Sequence, residues 1–376
     1  MPLSPRRNVR MCIDIERKGI LMANELAPHV AFSKERIIAL IDRFSDVRTA
    51  VFGDFFLDKY LDVDPDLQET SVETGMPAHQ VVGIRHAPGA AGTVVNNLAA
   101  LGAKEIYAIG LIGDDGEGYE LQRDLTRLGC LTQYLHVVPG RATPTYLKPR
   151  DIKHPGPTGE HPRYDTKNRT PLPEALASQL LQSLETVCTQ VDAVIVLDQV
   201  EAHDCGVVHS KTIDQLPELA DRFRRVQFWA DSRSRIHRFR GVAVKCNRYE
   251  AVFGRAAADD TVLTFDRLHE AVERFRRQLS APLLVSCGAD GMLVYGDSLR
   301  RVPTVSVEGP IDPTGAGDST MAGCALARAV GATWEEAALL GNLTASRTIR
   351  RLGTTGTCSR PELRLAVDAW FDQWQC

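Results

Sequence analysis

Residues 313–318, Pro-Thr-Gly-Ala-Gly-Asp, place three residues with little or no side chain directly before an aspartate, and a run of helix-forming residues follows. The backbone N–H groups of Gly315, Ala316 and Gly317 can approach an anion closely because nothing bulky shields them. The positive end of the following helix adds to this attraction. The segment therefore predicts a cradle for phosphate, or for the negative charge that develops during phosphoryl transfer.

Asp318 stands at the mouth of the predicted cradle, where a carboxylate can accept a proton from an attacking hydroxyl. We expect the helix dipole to lower the pKa of Asp318, so that the side chain is ionised at neutral pH. Aspartate is also common in the first turn of a helix, where it stabilises the N-terminus, and glycines before a helix often form only a tight turn. Taken alone, the motif leaves this structural interpretation open.

Two further segments carry candidate ligands for a nucleotide. Asn247 and Glu250 follow a predicted strand, and such a pair can hold a hydrated Mg²⁺ through water. The same pair can instead cap the next helix, and both interpretations are compatible. Ser286, Gly288 and Gly291 lie at the end of another apolar strand. Their glycines predict an open edge for a nucleotide, with a simple hairpin turn as the alternative.

Apolar strands alternate with amphipathic helices through most of the chain, which predicts an α/β fold. The predicted strands include 48–58, 105–118 with its glycine-rich loop, 192–198, 226–231, 241–247 and 281–288. The predicted helices include 33–44, 90–103, 118–129, 174–190, 212–225, 266–279, 318–331 and 334–350. This alternation is typical of a mainly parallel central sheet covered on both faces. Ligands of such sheets bind outside the carboxyl ends of the strands, which is where the candidate residues lie.

Three parts of the chain fall outside this pattern. Residues 1–32 are basic, lack the apolar segment of a signal peptide, and are expected to be a poorly ordered extension of a domain at 33–376. The segments 58–86 and 142–166 are irregular, and the second is rich in proline. Their composition favours a small β lid at one edge of the sheet.

The composition is that of an ordinary globular protein. Among 376 residues, 44% are hydrophobic and 24% are charged, with a formal net charge of −4. This charge favours neither nucleic acid nor a membrane surface as a partner, and no apolar run approaches the ~20 residues of a membrane span. Nine cysteines without a CxxC pair indicate reduced thiols, so we expect a cytoplasmic protein.

Taken together, the motifs resemble those of the ribokinase-like (PfkB) carbohydrate kinases. The similarity covers about residues 35–370 and includes DPTGAGD, GDFFLD (53–58), PGAAGTVVNNLAALGA (88–103), GLIGDDGEG (110–118), NRYE (247–250) and SCGADG (286–291). Within the family, GDFFLDKY, PTYLKPR, RYD and RLGTTGTCSRPEL look most like the heptose 7-phosphate kinase branch. The resemblance implies a Rossmann-type three-layer core and a β lid that often makes dimer contacts. It also implies transfer of the ATP γ-phosphoryl group to a sugar hydroxyl with Mg²⁺, and leaves open whether a monovalent cation takes part.

The resemblance also implies roles for individual residues. Asp318 would be the base, residues 315–317 the anion hole, and Asn247 and Glu250 the organisers of Mg²⁺. Residues along the nucleotide would be Ser286, Gly288, Gly291, Thr314 and Asn342, with Gly341 and Thr344 as weaker candidates. Residues at the sugar would be Asp54, Asp58, Gly89, Ala90, Thr93, Asn97, Lys148 and Arg163. Candidates for a phosphate already present on the sugar are Lys148, Arg150, Arg163, Arg233 and Arg238.

Several departures from the family pattern fall at the acceptor end. Ala90 replaces the second glycine of P-G-G-A-A-N, and Thr93 stands where a sugar-binding asparagine is usual. The segment 230–235, ADSRSR, replaces D-P-K-G, and no D-Y-x-K-G follows the strand at 192–198. A catalytically silent sugar-binding or regulatory homologue therefore stays open, as does a nucleoside or vitamin kinase. The intact GAGD and NRYE motifs argue against the silent homologue, and the GDFFLDKY start argues against a nucleoside or vitamin kinase. Together they favour a kinase of a sugar or sugar phosphate.

Overall fold

The computed structural model describes residues 31–154, 159–255, 263–296 and 298–374, which form two sheets and the helices around them. The expected extension therefore lies almost wholly outside the described residues. The helices are α1 Lys34–Asp42, α2 Ala91–Ala100, α3 Gly116–Arg127, α4 Glu174–Cys188, α5 Ser210–Arg222, α6 Arg248–Phe253, α7 Phe265–Leu279, α8 Ala316–Ala329, α9 Trp334–Thr348 and α10 Arg360–Trp374. No helix in these ranges is both long and apolar enough to span a bilayer.

The larger sheet has nine strands in the order β13-β12-β11-β10-β9-β8-β1-β4-β5. Its members are β1 Arg48–Gly53, β4 Glu105–Gly113, β5 Leu131–Val138, β8 Ala193–Asp198, β9 Gln227–Ser232, β10 Ala243–Asn247, β11 Leu283–Ser286, β12 Met292–Tyr295 and β13 Leu299–Val302. Neighbouring strands from β5 to β11 run parallel, whereas β12 and β13 form an antiparallel hairpin at one edge. The expected α/β class and mainly parallel sheet are confirmed.

Burial on both faces of this sheet explains its nearly continuous apolar strands. In β1, Val51 faces one hydrophobic cluster, while Ala50 and Phe52 face another. The first cluster packs under α1, α2, α3, α8, α9 and α10, and the second under α4, α5, α6 and α7. The result is a three-layer α/β/α core whose parallel strands all end at one edge.

A second sheet of four strands, in the order β3-β2-β6-β7, projects from the core. Its strands are β2 Phe55–Thr70, β3 Pro77–Ala90, β6 Thr145–Asp151 and β7 Tyr164–Thr166. The two irregular segments of the sequence meet here, because β2 pairs in parallel with β6 and antiparallel with β3. The strands are longer than expected. Only Asp54 separates β1 from β2, so the small sheet continues directly from the core.

Candidate active site

A cavity of about 610 Å³ opens at the carboxyl ends of the central strands, between the small sheet and the N-terminus of α8. Thirteen residues that the sequence singled out lie along it: Asp58, Ala90, Thr93, Lys148, Arg163, Asn247, Glu250, Ser286, Thr314, Gly315, Ala316, Gly317 and Asp318. Arg233, a candidate phosphate ligand, also lines it. The cavity contains both the predicted cradle and the predicted base.

The cradle is formed by backbone at the start of α8. Gly315 precedes the helix with φ +78°, and a Cβ at this position would lie 2.5 Å from Thr355 Cγ2, so only glycine fits. The Ala316 amide donates to the Pro313 carbonyl (3.0 Å) and is not available to an anion as expected. Within the described ranges, the amides of Gly315 and Gly317 have no backbone acceptor. Two amides and the helix end therefore fit an anion, such as a phosphate of ATP.

Asp318 lies in the first turn of α8, half-buried at the cavity. Burial and the nearby Asp231 carboxylate raise the pKa of Asp318 to about 7, even though Lys245 and Arg233 oppose the rise. The expectation of a lowered pKa was therefore wrong: desolvation and a like charge outweigh the helix dipole here. A carboxylate with this pKa is well matched to accept a proton near neutral pH.

Lys245 and Asp231 form an ion pair of 2.8 Å beside Asp318. Lys245 is buried within β10 and Asp231 lies in β9, so the pairing of these strands brings the two residues together. A Cβ on Gly317 would lie 2.9 Å from Lys245 Nζ, which places the ammonium directly beneath the cradle. The pKa of Lys245 is raised by Asp231 and Glu250, so its positive charge is maintained.

Asn247 and Glu250 form a capping box at the start of α6. Asn247 Oδ1 accepts from the amides of Tyr249 and Glu250, at 2.9 Å each, and Glu250 Oε2 accepts from the Asn247 amide at 2.8 Å. Burial and Asp231 raise the pKa of Glu250 to about 7. Among the described residues no group of three carboxylate, histidine or cysteine side chains could hold a metal directly. This donor set fits a Mg²⁺ that keeps most of its waters.

The end of the cavity beneath the small sheet is rich in paired charges and one aromatic ring. Lys148 Nζ lies 2.9 Å from Asp58 Oδ1, and Arg163 is held by Asp165. The Tyr146 ring faces three cations: Lys148 at 5.7 Å, Arg163 at 4.4 Å and Lys167 at 5.5 Å from its centroid. This end thus offers a carboxylate for hydroxyls and cations for an anionic group.

Comparison with known proteins agrees with this geometry. The family model described as pfkB family carbohydrate kinase matches residues 58–361. A D-beta-D-heptose 7-phosphate kinase of Bordetella bronchiseptica is 30% identical over 323 residues, covering 84% of this chain and 94% of that protein. The chain belongs to the pfkB family of carbohydrate kinases. The bifunctional protein HldE of Trichlorobacter lovleyi is 29% identical, over 89% of this kinase and 65% of HldE, so the chain spans less than two thirds of that relative.

Solved structures confirm the ribokinase-like fold. Phosphofructokinase-2 of Escherichia coli, in complex with substrates and products, has a TM-score of 0.60 and 17% identity, covering 86% of this kinase and 98% of that chain. Ribokinase of Thermotoga maritima has a TM-score of 0.60 and 19% identity, covering 86% and 99%. At this identity the likeness concerns the fold alone.

Asp54 lies away from the cavity, contrary to the expected sugar contact. Its carboxylate is buried and accepts from the amides of Gln199 (2.9 Å), Val200 (3.0 Å) and Val207 (2.6 Å). Burial and Asp198 raise the pKa of Asp54 to about 6, against these three bonds. Asp54 therefore anchors the loop after β8 and does not line the cavity.

Two other expected sugar residues act from behind the cavity wall. A Cβ on Gly89 would lie 3.0 Å from Asp58 Cγ, so this glycine leaves room for the Asp58 carboxylate. Asn97 is buried in α2 and donates to the carbonyls of Thr93 (3.0 Å) and Gly356 (3.5 Å). Both residues support the position of cavity residues and do not line the cavity themselves.

The expected nucleotide edge is only partly at the cavity, where Ser286 lies. Gly288 and Gly291 form the turn between β11 and β12, and a Cβ on Gly291 would collide with backbone at 302–304. Asn342 is buried in α9 and donates to the Val302 carbonyl (3.1 Å). Gly341 and Thr344 are packed against α8 through Thr320 and Gly323. The simple hairpin explains these glycines without a ligand.

The two remaining candidate arginines, Arg150 and Arg238, differ in whether they line a cavity. Arg150 lies in an adjoining cavity of about 210 Å³ that shares Lys148 and Arg163 with the main one, and it donates to the Gly353 carbonyl. Arg238 binds Ser210 Oγ and Asp214 and does not line either cavity. The sequence interpretation missed several lining residues, namely Tyr146, Asp198, Gln199, Asp231, Lys245 and Thr355.

Proposed function

We propose that this pfkB family kinase transfers the γ-phosphoryl group of ATP to a hydroxyl of a sugar or sugar phosphate, with heptose 7-phosphate as the first candidate acceptor. One observation carries the proposal. The Asp318 carboxylate, with its pKa near 7, shares a cavity with the two amides at the start of α8 that lack backbone acceptors. A base and an anion cradle at one helix end are the two parts that in-line phosphoryl transfer requires.

In this mechanism Asp318 orients the acceptor hydroxyl and takes its proton as the new bond to phosphorus forms. The amides of Gly315 and Gly317 donate to the phosphoryl oxygens, and the Lys245 ammonium beneath them adds positive charge without leaving Asp231. Asn247 and Glu250 would hold the waters of Mg²⁺, which supplies charge neutralisation for the phosphates.

The acceptor end supports an anionic sugar. Asp58 is placed to accept from a hydroxyl, and Lys148 and Arg163 lie beside it on the cavity wall. The kinase of Bordetella bronchiseptica that is named for heptose 7-phosphate is matched by this chain over 94% of its length. These observations support a phosphorylated acceptor over a neutral sugar or a nucleoside.

A panel of acceptors with Mg-ATP tests the proposal by ADP release. We expect heptose 7-phosphate to give the highest kcat/KM, ahead of unphosphorylated heptose, fructose 6-phosphate and inosine. A higher kcat/KM for inosine would indicate the nucleoside kinase instead. A sugar that binds by calorimetry but never stimulates ADP release would contradict the proposal and support a silent sugar-binding homologue, which the departures at Ala90 and Thr93 motivate.

The same proposal includes a homodimer that forms through the small sheet and a reducing cytoplasmic location. Large apolar side chains are exposed on this sheet, among them Val82 at 53%, Ile84 at 56% and Tyr164 at 64%. A second copy of the chain would cover them. The seven described cysteines are all buried and free, as expected for a reducing compartment. Light scattering of Ile84→Asp against wild type tests the dimer: a monomeric variant is expected.

A further inference from the structure

Four cationic side chains line the main cavity, and three of them are already paired with a carboxylate. Lys148 pairs with Asp58, and Lys245 with Asp231. Arg163 pairs with Asp165 through two contacts, of 2.6 and 2.9 Å. Each of these three cations keeps N–H groups for a second acceptor, as proposed for Lys148 and Arg163 at the acceptor end, but its charge is already balanced by a carboxylate.

Arg233 is the fourth cation, and it differs from the other three. In the part of the chain that the structure describes, its guanidinium has no carboxylate partner, and the one side-chain contact is from Nε to Gln199 Oε1 at 3.4 Å. The side chain is exposed to the cavity. Its amide donates to the Asp198 carbonyl (3.0 Å), which fixes the backbone at the end of β9. Its terminal N–H groups are thus free to donate in pairs to an anion.

The position of Arg233 along the sheet selects which anion. The acceptor end, with Asp58 and Lys148, lies beneath the small sheet, whereas Asn247 and Ser286 lie at the ends of β10 and β11. Arg233 follows β9, which lies between these two ends in the strand order. Helix α8 packs against β8, β9 and β10, so its N-terminal cradle is at the same mid-point. The positive charge of Arg233 also acts on both Asp318 and Glu250.

We propose that Arg233 is a catalytic residue that binds the γ-phosphoryl group of ATP together with the cradle, and that it does not serve the phosphate of the acceptor. This inference rests on the proposed function. As the bond from phosphorus to the β–γ bridging oxygen breaks, ADP leaves with the electron pair. The acceptor oxygen bonds to phosphorus and its proton passes to Asp318. Two N–H groups of Arg233 donate to the equatorial oxygens throughout, which stabilises their charge.

The first test is a binding measurement that needs no turnover. Calorimetry compares ADP with the β,γ-imido analogue of ATP, for wild type and Arg233→Gln. We expect the variant to lose at least about tenfold in affinity for the analogue, the value of one charge-assisted hydrogen bond, and to bind ADP within about threefold of wild type. Equal losses for both nucleotides, or for neither, would overturn the assignment to the γ-phosphoryl group.

The second test separates kcat from KM with the best acceptor of the panel. Arg233→Gln is expected to lower kcat by about 10²-fold or more and to leave the acceptor KM within about threefold. Arg233→Lys keeps the charge without the planar fork and is expected to recover part of both losses, which a merely structural role does not predict. The matched control is Arg238→Gln, which removes the same side chain five positions later, outside both cavities.

A raised acceptor KM with unchanged binding of the ATP analogue would overturn the proposal, because Arg233 would then serve the acceptor's phosphate. A failure of the proposed function looks different. In that case wild-type protein releases no ADP with any acceptor, and the calorimetric comparison of the two nucleotides still decides the role of Arg233.

Discussion

Replacing Asp318 by asparagine should remove activity and at the same time make the folded protein more stable at alkaline pH. Asparagine keeps the shape of the side chain but can neither accept a proton from the acceptor nor carry a charge. We expect kcat to fall by about 10²–10⁴-fold, the usual contribution of a general base. The gain in stability follows from the same burial and the same Asp231 charge that raise the pKa of Asp318.

The size of this gain follows from linkage. An aspartate with a pKa of 3.8 in the unfolded chain and about 7 in the folded protein binds a proton more tightly when folded, so stability falls as pH rises between these values. At 1.36 kcal/mol per pH unit, the full loss above pH 7 is about 4 kcal/mol. Because water in the cavity reaches part of the carboxylate, screening reduces the loss, and we expect about 2–4 kcal/mol.

Urea unfolding of wild type and Asp318→Asn at pH 4, 6 and 8 measures this difference. The variant should match wild type near pH 4, gain at pH 6, and gain the full amount at pH 8. Asp368→Asn is the matched control, because Asp368 in α10 forms an exposed ion pair with Lys34 in α1. This substitution should change stability by less than about 1 kcal/mol. A variant that is no more stable at pH 8 would refute the raised pKa, and a variant that keeps wild-type kcat would refute the role of Asp318 as base.

Three further predictions concern the surroundings of Asp318. The kcat/KM of wild type should rise with pH and reach half its maximum near pH 7, where the interacting Asp318 and Glu250 lose their protons, and a profile already flat from pH 5 would contradict this. Lys245→Met should lower the free energy of unfolding by about 3 kcal/mol, because it leaves Asp231 unpaired. The same variant should move the midpoint of the kcat/KM profile to higher pH, because Lys245 lowers the pKa of Asp318. Gly315→Ala should weaken binding of the ATP analogue at least about tenfold, because the φ of +78° at Gly315 and the contact with Thr355 exclude a Cβ. Calorimetry of ADP and the analogue measures this loss.

The central sheet and the helix after the cradle were readable from the sequence because they depend on local pattern. Buried parallel strands appear as short apolar runs, and GAGD before a helical run marks a helix N-terminus. The sequence also indicated that residues 58–86 and 142–166 belong together, although it did not predict β5 at Leu131–Val138. That strand is only partly buried and polar at several positions, so its period is weak.

What the sequence could not supply are contacts between residues far apart in the chain. Lys245 stands inside the apolar run GVAVKCN, which signals a buried charge that needs a partner. Only the pairing of β9 with β10 identifies Asp231 as that partner. Likewise, Asp54 and Asp58 follow the same strand, and sequence cannot tell that the loop at 199–207 donates three amides to Asp54 and leaves Asp58 for the cavity.

Ala90 shows that a departure from a family motif can carry a measurable energetic penalty. Its φ of 51° and ψ of −116° lie where a Cβ is strained, which explains the usual glycine. Such strain is worth about 1–3 kcal/mol, and a glycine gives back about 0.5–1 kcal/mol through the unfolded chain. Ala90→Gly should therefore stabilise the protein by about 1 kcal/mol in urea unfolding. Ala91→Gly, one residue later in α2, should instead destabilise it by about as much. If both glycines destabilise equally, the backbone at Ala90 is not strained, and the altered motif needs a different explanation at the acceptor end of the cavity.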